Sequence, residues 1–256
     1  MTQTEATGDL APRGWDRRKI AALLLAGSVF TAPALAGDRA ELNILGYSAD
    51  GAFFAFEEFG KRDGSGFPYS SIFILDLEKD EWTGGSPFRV MPEREDATLT
   101  AVRAEAREKA DAQLKTLGTR EPASILALIG DGVPDTTAKF LTVGQPGVTE
   151  PGEVLNEVQL QLSTFPADSP EPCTDYIGEK AKGFALSVST SDLARDVHRD
   201  ESLPQSRGCP LDYRFYAVVA PFGSTERLAH TVALVSVYAH GFEGPDRRFI
   251  AVPLQQ

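Results

Sequence analysis

The side chains best suited to proton transfer or metal binding are scattered in this sequence. His198, His230 and His240 are the only imidazoles among its 256 residues, and no His-x-x-x-His or similar spacing joins them into a zinc site. His230 and His240 have the same parity on one expected strand, which sets them about 33 Å apart at ~3.3 Å per residue, too far to share an ion. Glu57 and Glu58 are adjacent carboxylates on another expected strand. They must face opposite sides of it and cannot serve one bond as acid and base. Neither a Gly-x-Ser-x-Gly elbow nor a Ser-x-x-Lys pair occurs. Asp63 and Ser65 sit in a Gly-rich tip that lacks the alternating acidic ligands of a calcium loop. The sequence therefore leads us to expect no metal, no cofactor and no complete catalytic set.

Binding chemistry is better represented. Gly241 to Arg248 concentrates Glu243, Asp246, Arg247 and Arg248 beside Phe242, both charge signs next to an apolar ring. The competing reading of this segment is a hairpin loop with an internal ion pair and two turn-forming glycines. Arg207 beside Cys209 could reach an anionic ligand, and Tyr69 ends the Gly64–Gly66–Pro68 loop. Tyr69, Arg207, Glu243, Asp246, Arg247 and Arg248 form the candidate binding set. Their meeting in one concavity is the outcome that would give them a function.

The elements that must position these residues are mostly strands. Leu42 to Tyr47 alternates, Ser48-Ala49-Asp50-Gly51 reads as a turn, Ala52 to Phe59 is an aromatic extended run, and Ser71 to Leu77 resumes the pattern. From about residue 93 to 117 the apolar positions Leu99, Val102, Ala106, Ala110, Leu114 and Leu117 recur every three or four residues. This predicts an amphipathic helix with Glu93, Glu95 and Asp96 at its positive end and Gly118 as its stop. Its narrow, alanine-rich stripe suits a shallow seat on a sheet. Ile125 to Ile129 fits strand or helix equally. Lys139 to Val143, Val154 to Ser163, Phe184 to Ser189, Tyr213 to Ala220, Leu228 to Ala239 and Arg248 to Val252 complete the strands, about nine in all against one helix. Leu228 to Ala239 is apolar on both faces, as a central strand covered from both sides would be. The fold class is mainly β: antiparallel sheets with one helical insertion, a small or degenerate β-propeller being the alternative.

The N-terminus gives the compartment. Arg17, Arg18 and Lys19 precede the apolar run Ile20 to Ala32 and then Ala34-Leu35-Ala36, the pattern of a secretory signal peptide over residues 1–36. Those apolar residues as a helix would cover about 20 Å against roughly 30 Å of hydrocarbon, too little to stay as an anchor. Cleavage after Ala36 would leave one β-rich domain over 37–256, periplasmic or secreted, with no membrane insertion afterwards. The Arg17-Arg18 pair leaves ordinary and twin-arginine export both open. The exported part holds 34 acidic and 21 basic residues, a formal net charge of −13. Such a surface excludes nucleic acid, whose binding depends on Lys and Arg displacing counterions. Cys173 and Cys209 are the only cysteines, and an even count in an exported chain favours a disulfide over two buried free thiols.

Two resemblances add to this reading. Residues 44 to 82, with Ser48-x-Asp50-Gly51 ahead of an aromatic strand, resemble a strand pair from a TolB-type β-propeller blade. Gly46-Tyr47-Ser48, Phe54 to Glu58, Gly64 to Tyr69, Ser206 to Cys209 and Gly241 to Arg248 together resemble a family of bacterial predicted secreted proteins known as a domain of unknown function. That resemblance implies export and a β-rich domain and carries no catalytic residues. The expected function is non-catalytic recognition of an envelope protein or cell-wall component. The alternative is a periplasmic hydrolase whose site forms only in the fold.

Overall fold

The computed structural model describes residues 37–94, 96–191, 193–224 and 228–254; the expected signal peptide lies outside them. Alternating side chains build β1 (Glu41–Tyr47), β2 (Phe53–Lys61) and β3 (Pro68–Asp76) into an antiparallel sheet, to which the short strands β4 (Glu81–Trp82) and β5 (Phe88–Val90) add along β3. The first reversal is the expected Ser-x-Asp-Gly turn. Ser48 Oγ donates to Asp50 Oδ1 (2.5 Å) and accepts the Phe53 N–H (2.9 Å). Gly51 takes φ 73°, where a Cβ would stand 2.8 Å from the His230 ring.

The two faces of this sheet meet different partners. Ala55, Ile72 and Ile74 pack under α1 (Leu99–Leu117) through its buried residues Val102, Ala106, Ala110 and Leu114. The helix is therefore the shallow seat that its sequence suggests. It begins later than expected, because Thr98 caps it by accepting the Ala101 N–H (3.2 Å), and no acid lies in its first turn. Glu93 and Asp96 precede the cap instead of sitting on the dipole.

The opposite face, with Phe54, Phe56, Tyr69, Phe73 and Leu75, packs on a central sheet of order β13-β12-β11-β6. These are β6 (Ala123–Leu128), β11 (Pro210–Pro221), β12 (Val232–Ala239) and β13 (Asp246–Pro253). Phe56 and Phe73 stack at 4.8 Å in this layer, and truncating either ring would cost about 3–5 kcal/mol. Leu234, Phe249 and Ala251 face the first sheet, while Ala233, Val235 and Val252 face a third. The third sheet has the order β10-β9-β8-β7, from β7 (Phe140–Pro146), β8 (Val154–Pro166), β9 (Lys182–Ser189) and β10 (Ala194–Arg199). Apolar contact on both faces explains why β12 is continuously buried from Val232 to Val237.

The protein is thus β-rich, with three antiparallel sheets stacked in line. Helix α1 covers the outer face of the first sheet, so the described residues close no ring of blades. The segment that fitted strand or helix equally is resolved as a strand, since residues 123–128 pair with β11. Other local expectations are corrected. Asp135–Lys139 forms a short helix, α2, where a strand was expected to begin, and Cys173–Ile177 forms α3. β12 starts only at Val232, because Leu228 and His230 adopt positive φ; His230 and His240 both lie beyond its ends.

Cys173 and Cys209 form the disulfide, with Cα atoms 5.4 Å apart. It packs with Ala167, Ala181 and Leu203, and the 3-10 turn Gln205–Arg207 leads directly into it.

Candidate functional site

Three of the six candidate residues, Tyr69, Arg207 and Arg248, line one cleft of about 610 Å³. The cleft lies where all three sheets present residues from an edge: Ser71 and Arg89 from β3 and β5, Phe249 to Val252 from β13, and His198 from β10. One cross-strand row defines its wall on the first sheet. Glu58 on β2 pairs with Ser71 on β3, and Ser71 pairs with Arg89 on β5, so all three project from the same face.

At one end, Arg248 is locked. Its Nη2 donates to Asp38 Oδ2 (2.5 Å), Nη1 donates to the Asp38 carbonyl (3.2 Å), and Nε stands 3.6 Å from Glu58 Oε1. The guanidinium lies over the Tyr69 ring, 4.8 Å from its centroid, and Tyr69 Oη donates to Asp38 Oδ1 (2.9 Å). Burial drives the Tyr69 phenol well above its ordinary value, and Asp38 and Glu58 add to the effect. Glu58 is buried too, and this pushes its carboxyl up to about 6 although Arg248, Arg89 and the Phe249 N–H favour the charged form. Oε2 of Glu58 accepts that N–H at 2.9 Å.

On the opposite wall Asp200 gathers three donors. Its carboxylate accepts from Arg207 Nη1 (2.6 and 2.7 Å) and from the Phe184 N–H (2.9 Å), and it lies 3.2 Å from His198 Nε2. Burial works to raise the Asp200 carboxyl, but His198, Arg207 and the backbone donor together hold it below its ordinary value. The His198 ring stacks on Phe184 at 4.4 Å. Ser206 lines the same cleft, yet among the described residues the imidazole hydrogen-bonds only to Asp200.

Arg62 and Arg89 also line the cleft, and neither makes a salt bridge with a described carboxylate, although the Arg89 charge acts on Glu58 from a distance. The Ser71 hydroxyl between Arg89 and Glu58 likewise has no hydrogen-bond partner among the described residues. Trp82, 39 % exposed, packs tilted against Phe73 with ring centroids 5.1 Å apart and gives the other end of the cleft an apolar wall. Guanidinium groups beside a free hydroxyl and an aromatic wall can hold a carboxylate or phosphate attached to an apolar body. Among the described residues no group of three His, Cys, Asp or Glu side chains converges to hold a metal ion.

Arg247, Asp246 and Glu243 do not join the cleft. Arg247 is 5 % exposed; it donates to the Ala40 carbonyl and to Asp131 and lies over the Tyr216 and Phe249 rings. Asp246 Oδ1 accepts the Asp38 N–H (2.9 Å), and Glu243 gives its backbone N–H to Asp63 (3.1 Å). These three tie the β12–β13 turn to the N-terminal segment and to the loop before Tyr69. Arg247 and Arg248 are neighbours on a strand and must diverge, a separation already present in the alternation of side chains. Ser71 and Arg89 on the cleft, with Asp38 and Asp200 behind its arginines, are the residues that sequence reasoning did not single out. His198 and Glu58 stood out by residue type, as an imidazole and as an acid inside an aromatic strand, without a sign that they share this cleft.

The profile of a family described as predicted secreted protein (DUF2259) matches residues 55–255. The chain belongs to this family. Glu58, Tyr69, Ser71, Arg89, His198, Arg207 and Arg248 all fall within the matched span, and Asp38 precedes it. No curated protein and no solved structure matches the chain. Membership in DUF2259 agrees with export. No helix among the described residues is long and apolar enough to cross a membrane.

Proposed function

We propose that this DUF2259 protein acts in the periplasm or outside the cell as a non-catalytic recognition domain, holding an anionic group of an envelope protein or cell-wall component in the Tyr69–Arg207–Arg248 cleft. The observation that carries the reading is the pair Arg62 and Arg89. The exported chain has 34 acidic residues against 21 basic ones, yet Arg62 and Arg89 line the cleft without a salt bridge to a described carboxylate, Arg89 acting on Glu58 only from a distance. An unpaired arginine in a concave, partly desolvated site is a ready partner for a carboxylate or phosphate. Titrating the mature protein with glutarate and with inorganic phosphate, followed by amide NMR, tests this. Shifts confined to residues 62–71, 88–91 and 248–252 that vanish in an Arg62→Ala/Arg89→Ala double variant support it. Shifts spread evenly over the surface, or none, count against it.

The hydrolase reading is favoured by one observation, the His198–Asp200 pair on a wall that also carries Ser206. It needs His198 to take a proton from Ser206 or from water. Turnover of chromogenic esters that disappears with His198→Ala would support it, and its absence from the purified protein would leave recognition alone.

A further inference from the structure

The free edge of β13 and the overhang of the first sheet together leave a lane one strand wide, partly filled by the chain itself. β13 pairs with β12 in an unbroken register from Asp246↔Ala239 to Pro253↔Val232. On its other side, the outward backbone groups are met one after another. The Arg247 N–H donates to the Asp38 carbonyl (2.8 Å) and the Arg247 carbonyl accepts the Ala40 N–H (3.2 Å), so residues 38–40 bridge β13 in parallel. The next outward donor, the Phe249 N–H, goes to the Glu58 side chain. Alternation turns Ala251 the same way. There no strand, loop or side chain among the described residues takes its N–H or carbonyl, and the cleft begins. Just past the end of β13, Arg195 donates to the Leu254 carbonyl (3.1 Å).

The roof of the lane is the first sheet. Tyr69 on β3 touches Asp38, which places the segment already in the lane beneath β3. Glu58 reaches the edge of β13, and the same row continues outward through Ser71 and Arg89, each about 4.8 Å further at the spacing of paired strands. A chain laid beside Ala251 would therefore run under Ser71 and Arg89, with His198 and Arg207 on its other flank.

We propose that this lane accepts an extended segment of a partner polypeptide, paired through its main chain with Ala251 and directing an acidic side chain to Arg89. Strand addition at a free edge takes affinity from backbone hydrogen bonds and specificity from alternate side chains. Charge complementarity selects an acidic segment, because Arg62 and Arg89 line the cleft without a salt bridge to a described carboxylate. The inference rests on the recognition reading of the same cleft and adds the class of its ligand.

The test uses the mature protein and blocked hexapeptides alternating valine with threonine, carrying Glu, Gln or Lys at one central position, with glutarate as the free carboxylate. The Glu peptide should bind about tenfold or more tighter than glutarate or the Lys peptide and should slow hydrogen exchange of the Ala251 amide. Ala251→Pro removes only an outward donor on an edge strand, a placement that strands tolerate. It should abolish the peptide's advantage over glutarate. Should that variant fail to fold, exchange at Ala251 in the wild-type protein decides. Glutarate binding with no gain for the Glu peptide and unchanged Ala251 exchange overturns strand addition and leaves the anion site standing. Failure of both ligands removes the two readings together. Concentration-dependent protection of Ala251 without peptide replaces the partner by a second copy of this chain and also overturns the proposal.

Discussion

Glu57 and Glu58 share a peptide bond and occupy opposite faces of one sheet, and only Glu57 is hydrogen-bonded by an arginine. Glu57 lies on the helix side, where Arg103 Nε and Nη2 bind its two oxygens at 2.8 and 2.7 Å and Asn43 and Ser70 donate as well. Burial raises the Glu57 carboxyl, but those donors outweigh it and hold the group below its ordinary value. Glu58 faces the cleft. There Arg248 Nε stands off at 3.6 Å and, among the described residues, one backbone N–H is its only hydrogen bond, so burial wins. The same residue type in adjacent positions acquires opposite acidity from the number of donors around it.

This contrast predicts a pH signature for stability. Glu58 is pushed up to about 6 in the folded protein from an ordinary 4.5, so the native state binds the proton more tightly than the unfolded one. Its contribution is fully present below the unfolded value and is lost as pH rises through about 6, a loss of about 2 kcal/mol for a shift of this size. Glu58→Gln keeps an oxygen to accept the Phe249 N–H and removes the titration. Urea unfolding between pH 4.5 and 8 should show wild type losing stability relative to Glu58→Gln as pH rises, and parallel profiles for the two proteins would refute the assignment.

The Glu57 side behaves in the opposite sense. Arg103→Met removes two charge-assisted hydrogen bonds and leaves a carboxylate that is 4 % exposed with only Asn43 and Ser70. The arginine side chain is 36 % exposed, so solvent screens part of the pair, and we expect a loss of about 2 kcal/mol at neutral pH. The loss should shrink as pH falls and the orphaned carboxyl takes up a proton. Adding Glu57→Gln to Arg103→Met should recover much of it in a double-mutant cycle, whereas additive losses would show that the two side chains do not interact.

A third prediction follows from Gly46, which sits at the bulge where β1 shifts register against β2, with φ 126°. A Cβ there would stand 2.4 Å from the Glu121 carbonyl oxygen, the group that accepts the Tyr47 N–H at 2.8 Å. Gly46→Ala must break that bridge or strain the backbone, and we expect a loss of about 2 kcal/mol. Thermal unfolding reads it directly. A variant as stable as wild type would mean that the segment after α1 is free to move away.

Sequence alone reached as far as local periodicity and parity carry. The stripe Val102–Ala106–Ala110–Leu114 gave the helix and its shallow seat, and the unbroken apolar run ending at Ala239 gave a strand covered on both faces. The divergence of Glu57 and Glu58 is likewise parity. The helix start escaped because acids at 93 and 96 imitate a first turn, while the cap that decides is Thr98. β4 and β5 escaped because strands of two and three residues have no period to read. The cleft was legible only as a set of candidates. Asp38 meets Arg248 across a sequence separation of 210, and nothing local in either residue encodes that meeting. Arg247 shows the converse limit, since its charge suggested binding and its burial between Ala40 and two aromatic rings makes it a fixture of the core.

The last prediction links the disulfide to the cleft. Cys209 follows the 3-10 turn that carries Arg207, and Cys173 begins α3 on the loop after β8, so the bond fixes the segment bearing one cation of the cleft wall. Closing a loop of this length contributes about 3.8 kcal/mol in the chain-entropy model, and Cys173→Ala/Cys209→Ala should lower stability by about 2–4 kcal/mol. Arg207 nevertheless has a second restraint, the Asp200 carboxylate, which is itself fixed by the Phe184 N–H in β9. The double alanine variant should therefore lose stability in denaturant while keeping the His198 and Arg207 side-chain NMR signals of the wild type. If those signals broaden or move, the covalent bond and not the Asp200 clamp orders this wall, and anion affinity should fall in step.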